Sequence, residues 1–212
     1  MGKITLLYLK LNNMNTNLGN YIVPFQIKNG TCIDVGCNLG DFTKKYEDFF
    51  NKIYFVEPQK ELFLNLEKKF KEKDNIIGFN KAVWSESNIK VNLVSHPNND
   101  HGSVAVNGGH LNDDWTNQIV NEIETISLED LLELIPEKII DYLKIDCETS
   151  EYPFLFGKDL SMFKHIGIEI HPQMGISKYN ELLDWIKQTH TLIYGDDSFD
   201  KNYNKELLFK LK

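Results

Sequence analysis

From Thr31 onwards short apolar runs alternate with amphipathic stretches, and the two periods separate cleanly. Thr31–Val35 is an apolar run closed by Gly36 and is read as a buried strand. Leu39 to Phe50 reads as a helix, with Phe42, Tyr46, Phe49 and Phe50 on one side. Ile53–Val56 is a second strand, stopped by Glu57 and Pro58. Gln59 to Lys71 repeats Leu62, Phe63, Leu66 and Phe70 at helical spacing, which marks an amphipathic helix. Strands are expected at Ile76–Phe79 and Ile89–Val94, around a connection over Asn80–Asn88. Further on, strands are read at 122–126, 139–145, 165–170, 191–194 and 206–211. Helices are read at 127–134, with Ser127 as N-cap, at 150–156 and at 178–189.

Strands that alternate with helices predict an α/β fold: one Rossmann-like, doubly wound, mostly parallel sheet with an antiparallel C-terminal strand. Residues 1–30 break the pattern and are read as an N-terminal arm or cap on a domain spanning 31–212. The stretch 96–117 is the longest polar segment and is expected to be a loop. Its His96, His101 and His110 show no metal-ligand spacing and are read as solvated.

Composition narrows the function. The chain has 212 residues, 42% apolar and 25% charged, enough to bury a core without disulfides. It carries 31 acidic residues against 23 basic ones, a net charge of −8, and every basic residue is lysine. A nucleic-acid partner is disfavoured, because such proteins show a basic face and use arginine forks. No apolar run approaches the ~18 residues of a membrane span. The N-terminus lacks a small-residue cleavage site, and Leu6 stands where myristoylation needs Ser or Thr. With Cys32, Cys37 and Cys147 read as free thiols, the expectation is a cytoplasmic protein.

Open α/β sheets bind ligands beyond the carboxyl ends of their strands, so strand-end residues become the candidate site. The first strand ends in Asp34-Val35-Gly36-Cys37-Asn38-Leu39-Gly40. Gly36 lets the chain turn and a ligand approach, and the following helix offers unpaired N–H groups to an anion. The dinucleotide fingerprint G-x-G-x-x-G is not met, because Asn38 replaces its second glycine and the third is displaced to Gly40. A pyrophosphate would find this loop crowded; a single carboxylate would not. Glu57, followed by Pro58, lies 57 − 36 = 21 residues after Gly36, where a carboxylate can accept both ribose hydroxyls of an adenosine.

These motifs, with LKIDCETSE at 143–151 and IEIH at 168–171, resemble the FkbM-type family of S-adenosylmethionine-dependent methyltransferases. The match in order and spacing runs over about residues 31–171. One departure is Thr149, where the family usually has glycine, which bears on where Glu151 is placed. The resemblance implies S-adenosylmethionine as cofactor, with Gly36, Asn38 and Gly40 along its methionine part. It implies Glu57 on the ribose, Asn80, Lys81 and Ala82 beside the adenine, and Asp146 near the amino group and sulfonium. Asp34, Cys37 and Pro58 complete the candidate cofactor-binding set.

Methyl transfer needs a nucleophile held in line with the sulfur, and an alcohol also needs a base for its proton. His171, then Asp146, then Glu148 are the candidate bases, all at strand ends, and Glu169 is read as structural. Asp146, Glu148, Glu151 and His171 are also donors that a hard divalent cation would accept. Their spacing matches no dedicated ligand motif, so the chain is read without metal ligands. The expected activity is O-methylation of a small hydroxylated molecule, a sugar by family resemblance. An NAD-type oxidoreductase or epimerase is the alternative, disfavoured by Asn38 and by the lack of a Tyr-x-x-x-Lys pair. A catalytically silent binding module with the same fold is another.

Overall fold

Strand β1 (Thr31–Val35) is buried along its whole length, the mark of a central strand covered on both faces. The computed structural model describes residues 21–95, 102–104 and 119–212. The first part of the expected arm (1–20), His96, His101, His110 and most of the polar stretch lie outside the described residues.

After β1 come α1 (Asp41–Tyr46), β2 (Lys52–Val56), α2 (Lys60–Phe70), β3 (Ile76–Phe79) and β4 (Ala82–Val83). Then follow β5 (Lys90–Ser95), β6 (Gly102–Val104), β7 (Ile119–Ile126), α3 (Leu128–Glu133), β8 (Tyr142–Ile145) and α4 (Glu151–Leu155). The chain closes with β9 (His165–Ile170), α5 (Ile176–Thr189), β10 (His190–Tyr194) and β11 (Lys205–Leu211).

Seven strands form one sheet in the order β10-β11-β9-β8-β1-β2-β3. The pairs β1–β2, β2–β3, β1–β8 and β8–β9 are parallel, and the C-terminal β11 is antiparallel to both β9 and β10. This is the expected α/β sheet with its antiparallel closing strand. The strand order reverses between β1 and β8, and the carboxyl ends of these two strands flank the crevice that such a reversal creates.

Alternation along the strands sorts side chains to the two faces. Ile33, Val35, Leu143, Ile145, Ile166 and Ile168 face a large core under α3, α4 and α5. On α5, Tyr179, Leu182, Leu183 and Ile186 are buried, a stripe whose three aliphatic side chains contribute roughly 1.5–3 kcal/mol each. Cys32, Ile53 and Tyr142 face the other way, onto Tyr46 and Phe50 and onto Val23 and Ile27 from the segment before β1. Asp34 and Lys144 are register partners on this second face.

Three elements differ from the sequence expectation. Helix α1 starts only at Asp41, because Gly40 takes a left-handed φ of 78°, and it ends at Tyr46. Phe49 and Phe50 still pack with Tyr46, from the turn that follows rather than from the helix. The connection 80–88 contains β4, which pairs with β7, and the polar stretch contains β6, which pairs antiparallel with β5. These four strands make a separate sheet in the order β4-β7-β5-β6. Periodicity marks a strand but carries no information about which strand it pairs with. Among the described residues no helix is long and apolar enough to cross a membrane.

Candidate functional site

The turn after β1 is forced by close packing. Gly36 has φ +73°, and a Cβ there would overlap the Asp146 carbonyl oxygen at the end of β8. The turn is held from below by Lys144, a buried lysine in mid-strand. Its Nζ donates to Val35 O (3.2 Å) and Gly36 O (2.6 Å) and lies 3.0 Å from Asp34 Oδ1. Burial alone would lower the Lys144 pKa, but the carboxylates of Asp34 and Asp146 outweigh it and hold the ammonium well above its ordinary range. Thr43 on α1 donates to the other Asp34 oxygen at 2.7 Å, and the Tyr21 ring covers the ammonium at 5.4 Å.

The loop amides are engaged within the protein. Gly36 N and Cys37 N both donate to Val56 O, Gly40 N donates to Cys37 O, and Asn38 N donates to Glu57 Oε2 at 2.8 Å. These four amides precede α1, so none of them is among the first-turn N–H groups of the helix that were expected to meet an anion. Asn38 reaches this geometry at φ +53°, a left-handed conformation that asparagine tolerates well.

Glu57, at the tip of β2, is 3% exposed. Its Oε1 accepts from Gln59 N (2.8 Å) while Oε2 takes Asn38 N, so both oxygens are fixed in place and each retains a lone pair. Burial pushes its pKa up to about 7, against the lowering effect of the two backbone donors. Asn80 braces the same corner, its Nδ2 donating to Glu57 O and Pro58 O.

Around Glu57 opens a crevice of about 640 Å³, counted together with the solvent it opens into. Val35, Val56, Pro58 and Val83 give it apolar surface, and Glu57, Asp146 and Glu148 give it three carboxyl groups. Lys81 also lines it, with its ammonium on Glu124. Ser150 lines it too; its hydroxyl is fully buried and has no hydrogen-bond partner.

Behind Glu148 sits His171, 3% exposed. Nδ1 lies 2.7 Å from Glu151 Oε1, and Nε2 lies 3.4 Å from Glu148 Oε2. Burial would lower the His171 pKa, but Glu151, Glu148 and Asp146 override it and raise it to about 10. One donor atom each from Asp146, Glu148 and His171 lies within 4.8 Å of the other two. The loop brings Glu148 round by taking φ +51° there and +80° at Thr149. Thr149 thus takes a left-handed φ at the position where the resembled family usually has glycine, and Glu151 reaches His171 all the same.

The crevice brings together Gly36, Asn38, Glu57, Pro58, Lys81, Asp146 and Glu148 from the candidate set. It does not include Asp34, Cys37, Gly40, Asn80, Ala82 or His171 in its lining. Cys37 packs with Phe55, Leu66 and Phe70, and a Cβ on Gly40 would press on Leu66. Ala82 faces Val91 and Leu93, opposite to Lys81 and Val83 on the alternating chain. Glu169 accepts a hydrogen bond from Asn204 at 2.7 Å. Sequence reasoning missed Lys144, Val83, Gln59 and Ser150. Lys144 carried a signal, since a lysine inside an apolar run that forms a central strand must find a buried partner.

The model of the methyltransferase FkbM domain matches residues 34–195. No curated protein matches the sequence. Among solved structures, methyltransferase FkbM from Methylobacillus flagellatus KT is similar at 14% identity and a TM-score of 0.53. That match covers 85% of this chain and 43% of that one, so this chain spans less than half of that protein's length. SMU.1697c from Streptococcus mutans, solved in complex with SAH, is similar at 11% identity and a TM-score of 0.53, over 89% of this chain and 93% of that one. At these identities the structures speak for the fold, and the family is carried by the domain match: the chain belongs to the FkbM methyltransferase family.

Proposed function

We propose that the crevice binds S-adenosylmethionine and that the chain transfers its methyl group to a hydroxyl oxygen of a small polar molecule, a sugar or sugar derivative. The observation that carries this reading is Glu57. It is a buried carboxylate fixed by two backbone amides, across one crevice from Gly36 and Asp146. Its remaining lone pairs suit the two hydroxyls of a ribose. The cofactor carries a sulfonium and an ammonium against one carboxylate, so its net positive charge suits a crevice with three carboxyl groups. The SAH complex of the similarly folded Streptococcus mutans protein supports the same cofactor.

The acceptor oxygen must reach the methyl carbon in line with the sulfur, ~3–3.5 Å away, and much of the rate gain comes from that positioning. Asp146 and Glu148 face the crevice and are the groups placed to take the hydroxyl proton. His171 stands behind Glu148 with both ring nitrogens held by carboxylates, which makes it a positioning residue for that wall. A small acceptor in place of nucleic acid is supported by the −8 charge and the absence of arginine.

Calorimetry with S-adenosylmethionine tests the reading. Saturable heat is expected, with affinity weakened ~10–100-fold in Glu57→Gln, the cost of losing hydrogen bonds to a charged acceptor. Heat from NAD in place of S-adenosylmethionine would favour the oxidoreductase alternative. That alternative is disfavoured because the amides of Gly36, Cys37, Asn38 and Gly40 are spent within the protein and cannot cradle a pyrophosphate.

A further inference from the structure

We propose that a carboxylate oxygen of Asp146, one of Glu148 and Nε2 of His171 form a site for one divalent cation at the wall of the crevice that Asp146 and Glu148 line. Their donor atoms lie within 4.8 Å of one another, a span that one ion with bonds of about 2.0–2.6 Å can bridge. Asp146 and His171 directly follow the neighbouring strands β8 and β9, which fixes their approach, and the left-handed turn at Glu148 and Thr149 brings in the third group.

A further observation points to a ligand here. Ser150 lines the same crevice fully buried, with a hydroxyl that no group satisfies, which is costly unless something else occupies the space it borders. Glu151 is likewise fully buried; its Oε1 holds His171 Nδ1 while its Oε2 has no hydrogen-bond partner. A carboxylate on the far nitrogen is what orients a metal-binding imidazole and fixes its tautomer.

Binding is an exchange of charge with no redox step. The proton on Nε2 leaves to solvent, and the cation takes the lone pair that it vacates. Glu151 keeps the Nδ1 proton. One imidazole and two carboxylates form a mixed N,O set that suits Mn²⁺ or Zn²⁺ better than a set of oxygens alone would. Because Asp146 and Glu148 line the crevice, an ion they hold would have positions left for a ligand bound there. Resting on the proposed methyl transfer, those positions would take two oxygens of an acceptor with neighbouring hydroxyls and favour ionisation of the one that attacks.

The test uses Mn²⁺ and the whole chain without cofactor, so it is independent of methyl transfer. Electron paramagnetic resonance counts free Mn²⁺ during titration. One bound ion per chain is expected, with affinity lowered at least ~10-fold in Glu148→Gln and in Asp146→Asn. Glu151→Gln should weaken binding by a similar factor through the imidazole, and Glu57→Gln should leave it unchanged. Circular dichroism confirms that each variant is folded. Absence of binding at ~1 mM Mn²⁺, or binding that both Glu148→Gln and Asp146→Asn leave intact, overturns the site even if the cofactor still binds.

Discussion

Thr149 shows how a single residue can sit against its own preference. A β-branched side chain at φ +80° is strained by about 1–3 kcal/mol. Glycine would remove that strain and lose some of the gain to its greater freedom when unfolded. Thr149→Gly is therefore expected to raise unfolding stability by about 1 kcal/mol, read as a higher denaturant midpoint at unchanged slope. A fall in the midpoint would mean that the threonine side chain contributes contacts worth more than the strain. The sequence showed the departure at Thr149; it could not show whether the turn would change shape, because that depends on how firmly Glu151 and His171 hold the loop.

Glu57 makes the pH dependence readable. Its pKa in the folded chain lies near 7, above the ordinary carboxylate value of 4.5. The folded state thus binds more protons than the unfolded one between those values. Its contribution to stability is fully present below about pH 4.5 and is lost as the pH rises through about 7. A ribose donates hydrogen bonds to the ionised form, so cofactor affinity should run the other way, rising through about pH 7 and then levelling. Glu57→Gln should flatten both profiles. A cofactor affinity that stays level in the native chain from pH 6 to 8 would separate Glu57 from the ribose.

At the level of elements, strand β8 carries the site on one end and an ion pair in its middle. Lys144 and Asp34 are opposite each other on β8 and β1, both buried, and Thr43 reaches them from α1. Breaking such a pair from one side leaves an unpaired buried charge, so Lys144→Met should cost roughly 3–5 kcal/mol in chemical denaturation. Adding Asp34→Asn should recover part of that loss, since the stranded carboxylate is gone. Additive losses in the double variant would show that the two groups do not act as a pair. Because Lys144 also holds the carbonyls of Val35 and Gly36, the same strand that offers Asp146 to the crevice sets the turn facing it.

Most strands and helices were legible because their apolar period was clean. Helix α3 begins where its cap requires: Ser127 Oγ accepts from Asp130 N at 3.2 Å. Helix α1 is shorter than its apolar spacing predicts, because Phe49 and Phe50 continue the helical spacing from a turn. The residues around the crevice were legible only in part. Gly36, Glu57 and Asp146 stand at strand ends and could be ranked by that rule alone. Gly40, Ala82 and Cys37 belong to the same motifs but turn into packing contacts, and a motif does not say which way its side chains point.

Across the whole molecule, one sheet has helices over it and the other is a four-strand attachment. Sheet 10-11-9-8-1-2-3 buries both faces of its central strands, whereas β5 and β7 carry exposed charges such as Lys90 and Glu122. Hydrogen exchange should therefore be slowest in β1, β8 and β9 and distinctly faster in β5 and β7. Equal protection in both sheets would show that they unfold as one unit.

Whether the crevice at the ends of β1, β2 and β8 takes an adenosylated sulfur compound, as proposed, is decided by titration calorimetry with SAH and with NAD, each to about 1 mM. One SAH per chain is expected, with affinity lowered ~10–100-fold in Glu57→Gln and no heat from NAD. Binding of NAD, or SAH binding that Glu57→Gln leaves untouched, would contradict it.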